Sequence, residues 1–123
     1  MYSRNIDGGN IITNMISIVE NNIPKIIELC KKHKLKSLYL FGSATDKKFF
    51  HEKSDVDFLY EYDLENYPDW DKGDFDLVTN FFILKENLEE ILGRKVDLIP
   101  NRLKNPYFIN SVEKSKKLIY ARS

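Results

Sequence analysis

The chain has 123 residues, with 19 basic and 19 acidic side chains, so its formal net charge is zero. Its length fits a single domain over residues 1–123, large enough to bury roughly two-thirds of the surface the unfolded chain exposes. At 42% hydrophobic and 31% charged it is no disordered tail, and its charge balance excludes the broad basic field that coats extended nucleic acid. The longest apolar runs, Leu38–Phe41 and Phe81–Leu84, are four residues each, where a bilayer span takes about 20. Cys30 is the single cysteine, which excludes an internal disulfide and a cysteine-cluster zinc site. The first residues carry no hydrophobic signal core, so the expected location is the cytoplasm.

Residues 1–10 are polar, contain Gly8-Gly9 and are expected to form a loose arm; a helix is expected over 11–22. From Pro24 the periodicity sharpens: Ile23, Ile26, Ile27 and Cys30 recur at helical spacing, and Lys31 to Lys34 place cations at the helix end. Ser37–Phe41 is an apolar run read as a strand buried on both faces, ending at Gly42-Ser43. Residues 44–54 form a polar connection. Asp55–Glu61 is a second strand, with Val56, Phe58 and Tyr60 on one face and Asp55, Asp57 and Leu59 on the other. Residues 62–75 read as a loop. Leu77, Phe81, Leu84, Leu88 and Leu92 then mark a helix closed by Gly93. Val96–Ile99 is a third strand, stopped by Pro100. A last helix is expected from Asn105-Pro106, turning Phe108, Ile109, Val112 and Ile119 inward. The order predicts an α/β (α+β) fold, a mixed sheet backed by helices.

Three features carry chemistry. Gly42-Ser43 follows a buried strand, and glycine there lets backbone N–H groups approach a phosphate closely. Asp55 and Asp57, at i and i+2 on one strand, share a face with Cα atoms roughly 6.5–7 Å apart, a spacing from which two carboxylates can share hard divalent ions. Asp97 is a third carboxylate, set in the apolar Val96–Ile99 strand. Taken singly, each has a plainer reading: a turn, a solvated strand edge, a strand-end cap. Their ordered combination favours the metal reading, because a carboxylate within an apolar strand is costly unless it is paired or bound to a cation.

Ser37-Leu-Tyr-Leu-Phe-Gly-Ser43, Ser54-Asp-Val-Asp-Phe-Leu59 and Arg94-Lys-Val-Asp-Leu-Ile99 together resemble the minimal nucleotidyltransferases of the DNA polymerase β superfamily, and more closely its MNT antitoxin branch. The resemblance runs over residues 23–120, with Leu103–Phe108 as a supporting tail motif. It implies the polymerase β type nucleotidyltransferase fold, with Gly42 and Ser43 holding nucleotide phosphates. Asp55, Asp57 and Asp97 would be the catalytic carboxylates and ligands of two Mg²⁺ ions. The activity it implies is transfer of AMP from ATP to a tyrosine hydroxyl of a HEPN-type toxin encoded nearby. A non-catalytic antitoxin and a transferase acting on a small-molecule hydroxyl are the competing expectations. The family's Arg after Gly-Ser is replaced by Ala44-Thr45-Asp46, so Lys47 and Lys48 are the expected triphosphate contacts, and eleven residues separate Ser43 from Asp55.

The remaining candidates read as structural. His33 and His51 are expected at the solvated surface, Cys30 in the packing of its helix, and the acids from Glu61 to Asp76 in a solvated loop.

Overall fold

The computed structural model describes residues 15–51, 53–68, 77–101 and 116–122. A short helix α1 (Ser17–Glu20) leads into α2 (Ile23–Lys32), β1 (Leu35–Phe41) and a single 3₁₀ turn (Gly42–Thr45); β2 (Val56–Tyr62), α3 (Leu77–Leu92), β3 (Val96–Pro100) and β4 (Lys117–Ala121) follow. The expected N-terminal arm and the start of the expected final helix lie outside the described residues. Among those described, no helix is long and apolar enough to cross a membrane.

The strands form one four-stranded mixed sheet in the order β3-β2-β1-β4. β1 pairs antiparallel with β2 and with β4, whereas β2 and β3 run parallel. The parallel pair needs a crossover, and α3 supplies it. Alternation along the strands sorts their side chains. Leu38, Leu40, Val56, Phe58, Val96 and Leu98 join Ile23, Ile26, Cys30, Leu84 and Leu88 from the helices in the main core. The opposite face carries a smaller cluster, in which Phe41 and Leu59 are buried with Tyr39 and Ile99 against them. Asp57 and Asp97, interleaved with these residues along β2 and β3, share that second face.

Both long helices end as their sequences direct. Gly93 takes φ 65° beyond α3 and donates its N–H to the Glu89 carbonyl, the left-handed stop that glycine allows at little cost. Pro24 lies in the first turn of α2, and Lys31 and Lys32 lie in its last.

Four expectations need correction. The 11–22 helix is realised, among described residues, only as α1, and Asn21 and Asn22 break it from α2. β1 begins at Leu35 rather than Ser37, because Leu35 is buried and pairs with Tyr62 across an irregularity in register. β2 begins at Val56, which leaves Asp55 one residue ahead of the strand. Ile119 turns inward from a strand and not from a helix: Lys117–Ala121 pairs with the otherwise open edge of β1, and edge pairing satisfies a row of backbone groups that helical spacing cannot reveal.

Candidate active site

The site is built where β1 ends. Phe41 is extended, with φ −144° and ψ 176°, and faces Asp57 across the β1–β2 ladder. The chain then turns sharply at Gly42, whose φ is 74°. A Cβ at that position would stand 2.7 Å from Asp57 Oδ2, so any larger residue would have to swing that carboxylate aside. The left-handed backbone selects glycine, and the Asp57 carboxylate rests against it. Ser43 follows, half-buried, within a single 3₁₀ turn.

Asp57 pairs in parallel register with Asp97, which puts both on the same sheet face. Asp55 stands two residues before Asp57. Half-burial pushes the Asp57 carboxyl up to about 6, and the charges of Asp97 and then Asp55 add to the effect. Asp57 is thus the hub of the three, while Asp55 and Asp97 are exposed. They do not close into a tight cage: among the described residues, no three His, Cys, Asp or Glu side chains converge as a metal-binding group. The donor chemistry nevertheless fits Mg²⁺, which takes one or two carboxylates and completes its shell with water and substrate phosphates. Mutually repelling acids, with one held above its ordinary range, are the electrostatic complement of such a cation.

Lys47 and Lys48 are exposed just beyond the turn. The Lys48 N–H bonds Asp46 Oδ1 at 3.0 Å, fixing a local bend. The structure thus brings Gly42, Asp57 and Asp97 together, holds Ser43 and Asp55 beside them, and leaves the two lysines at the rim of the turn.

Arg94 fixes the approach to Asp55. Its Nη2 donates to the carbonyls of His51 at 3.2 Å and Ser54 at 3.3 Å, and its guanidinium lies 4.6 Å from the centre of the Phe50 ring. The long 44–54 connection is thereby pinned to the start of β3. Val56 N–H bonds the Lys95 carbonyl, and Glu89 Oε2 accepts from Val96 N–H at 3.0 Å, setting the β2–β3 register that aligns the acids. Arg94 stood within the third motif, but nothing in the sequence gave it this role.

His33 and Asp63 depart from their expected places. His33 is buried, not solvated: its Nδ1 lies 2.8 Å from Asn80 Oδ1, and Asn80 Nδ2 donates to Tyr62 Oη at 2.7 Å. The signal was present, since His33 continues the Ile26–Cys30 stripe by one more helical step. Asp63 is buried as well, ion-paired at 2.9 Å with Arg122 Nε. Glu65 bridges Lys36 at 3.0 Å and Arg122 at 3.3 Å, so this part of the acidic stretch ties the loop to β4. Cys30 is packed as expected, and burial drives its thiol up to about 12. His51 is exposed.

Carboxylates thus gather beside a glycine turn, on the sheet face opposite α2 and α3. Sequence comparison gives the family: residues 24–123 match the model of "Polymerase beta, Nucleotidyltransferase", and the chain belongs to that nucleotidyltransferase family. The Methanocaldococcus jannaschii protein MJ1379, described by inference as a protein adenylyltransferase, is 41% identical over 90 residues, covering 72% of this chain and 79% of its own. A chain in the crystal structure of a toxin–antitoxin with AMP-PNP is similar with a TM-score of 0.58 at 25% identity, over 83% of this chain and 75% of that one. A chain in the complex of a tri-AMPylated Shewanella oneidensis HEPN toxin with an MNT antitoxin shares the fold, with a TM-score of 0.53 at 23% identity over 84% and 72% of the respective chains.

Proposed function

We propose that this nucleotidyltransferase is a Mg²⁺-dependent protein adenylyltransferase that moves AMP from ATP to a tyrosine hydroxyl of a HEPN-type toxin, and so acts as its antitoxin. The observation that carries the reading is the register of Asp57 with Asp97 at the wall of the Gly42 turn. The names of the relatives support the substrate and the partner: an inferred protein adenylyltransferase, a toxin–antitoxin with AMP-PNP, and a HEPN toxin bearing AMP.

Asp55, Asp57 and Asp97 would hold the metal, in a pair of ions if both are taken up. Bound there, Mg²⁺ would neutralise phosphate charge and sharpen the electrophilicity of the α-phosphorus. Gly42 and Ser43 offer the close backbone approach that a triphosphate needs, and Lys47 and Lys48 supply positive charge at its rim. Asp97, exposed and in register with Asp57, is the carboxylate free to orient the incoming hydroxyl and take its proton. The hydroxyl oxygen bonds to the α-phosphorus, the bond to the bridging oxygen breaks, and pyrophosphate leaves with that electron pair.

The test is incubation with ATP, Mg²⁺ and the HEPN-type protein encoded nearby, followed by intact-mass measurement of that protein. An added AMP moiety, lost with Asp57→Asn, bears the reading out. Tight complex formation with no mass change in wild type would refute it in favour of a non-catalytic antitoxin, a reading motivated by the missing Arg after Ser43.

A further inference from the structure

We infer that Lys117, on β4, is a positioning residue of the nucleotide site: its ammonium fixes the Gly42–Thr45 turn in the shape that meets Asp57. The inference rests on the nucleotidyl-transfer reading above and extends it to a residue far along the chain.

A lone 3₁₀ turn has no ladder to hold it, so its carbonyl partners decide its shape. All four are engaged. Gly42 O accepts from Thr45 Oγ1 at 2.7 Å, and Ser43 O accepts from Asp46 N–H at 3.3 Å. Ala44 O accepts from Ile16 N–H at 3.0 Å, and Thr45 O accepts from Lys117 Nζ at 2.8 Å. The first two bonds are local. The third comes from the backbone just ahead of α1. Only the fourth uses a charge, and a charge-assisted bond is roughly twice as strong as a neutral one.

The geometry of β4 delivers that charge. Lys117 pairs with Leu40, two residues before Gly42, and the register slips by one residue between Leu38 and Tyr39. From this seat the half-buried lysine stem reaches the end of the turn. A cation at the last carbonyl also complements the negative end of the turn's peptide dipoles. The Asp57 carboxylate lies directly against this turn, with its Oδ2 2.7 Å from where a Cβ at Gly42 would stand. Freeing Thr45 O therefore changes how phosphates and Asp57 meet. Lys117 also sets a positive charge against a turn that Asp46 follows directly.

The experiment compares wild type, Lys117→Met, Lys117→Gln and Lys117→Arg in three measurements. They are hydrogen exchange of the Ser43–Asp46 amides, AMP-PNP binding with Mg²⁺, and KM and kcat for ATP in the transfer assay. Lys117→Met should speed exchange of those amides and raise the AMP-PNP Kd and KM for ATP by about tenfold, the loss of one charge-assisted bond, with kcat within about twofold. Lys117→Arg should restore all three, and Lys117→Gln should fall between; these two keep a donor and decide the matter if the Met variant does not fold. Unchanged turn exchange in folded Met or Gln variants, or failure of Arg to restore KM, overturns the inference. If wild type neither binds AMP-PNP nor transfers AMP, the transferase reading fails instead, and the exchange data still decide whether Lys117 holds the turn.

Discussion

Replacing Asp57 with Asn should make the metal-free protein more stable, by an amount that depends on pH. Asp57 is raised from 3.8 to about 6 in the folded state, chiefly by burial and then by Asp97 and Asp55. A shift of roughly two units at 1.36 kcal/mol each sets a ceiling of about 3 kcal/mol. Partial exposure screens the charges, so about 1–2 kcal/mol is the expected gain for Asp57→Asn at neutral pH. For a chain of this size that corresponds to a rise of about 3–8 °C in Tm. The sign follows from linkage. The folded state holds the Asp57 proton to higher pH than the unfolded state, so the stability this group permits is complete below 3.8 and is lost as pH rises through about 6. The advantage of Asn should therefore vanish near pH 4 and reach its plateau above about pH 7. Buried His33 contributes the opposite slope, since burial lowers its pKa and folded stability falls as pH drops below its ordinary 6.5. Taking the difference between variant and wild type cancels that background. Thermal melts in EDTA across this range make the measurement. A second series with Mg²⁺ should raise wild-type Tm and narrow the gap, because the cation relieves in wild type the repulsion that Asn has already removed. A variant less stable than wild type at every pH would show that Asp57 is a structural residue and that the electrostatic reading of the site is wrong.

Other perturbations have equally definite outcomes. Gly42→Ala should cost about 1–2 kcal/mol for the left-handed backbone and should abolish AMP transfer by displacing Asp57, read by melts and the transfer assay. Asn80→Leu should lower stability by about 2–3 kcal/mol in urea titrations, because it strips His33 and Tyr62 of a buried partner; His33→Gln should flatten the loss of stability that wild type shows as pH falls below its ordinary 6.5. Arg94→Leu should speed proteolysis of the 44–54 connection and reduce kcat, because it frees the carbonyls of His51 and Ser54 that hold the approach to Asp55.

Legibility in the sequence followed the range of the interactions. The periodicity of Leu77, Leu84, Leu88 and Leu92 is local, and α3 spans the expected residues. The alternation of Val56-Asp57-Phe58 is local too, so the opposite faces of β2 could be assigned before any partner strand was known. Asp-x-Asp and Asp97 pointed to a metal because carboxylates are costly in apolar strands without a cation, while nucleotidyl transfer came from the resemblance of the three motifs, in order, to a known family. β4 was hidden, because Ile119 satisfies helical spacing from Val112 as readily as strand pairing with β1, and only the edge of β1 decides between them. Asp63 was hidden for a similar reason: its partner Arg122 is remote in sequence, so a buried ion pair looked like one more solvated acid. Lys117 and Arg94 act on carbonyls, which carry no residue-type signature at all.

The carboxylates also bear on the choice between a catalytic and a merely binding antitoxin. Sequence alone suggested that all three acids burden the fold. The structure confines the burden: Asp55 and Asp97 are exposed and solvated, and only Asp57 is half-buried and pushed well above the ordinary range. A protein that merely covered its partner would gain stability by exchanging Asp57 for Asn. Asp57 is nevertheless present, held against the Gly42 turn at a cost in burial and electrostatic repulsion. Such a cost is characteristic of functional sites. The same logic separates the two antitoxin mechanisms by experiment. Neutralisation through catalysis predicts that Asp57→Asn yields a more stable protein that no longer protects cells from its toxin. Neutralisation through binding predicts a more stable protein that protects at least as well. Protection measured in cells carrying the toxin, beside the Tm of the purified variant, distinguishes them, and full protection by a stabilised Asn variant would end the catalytic account.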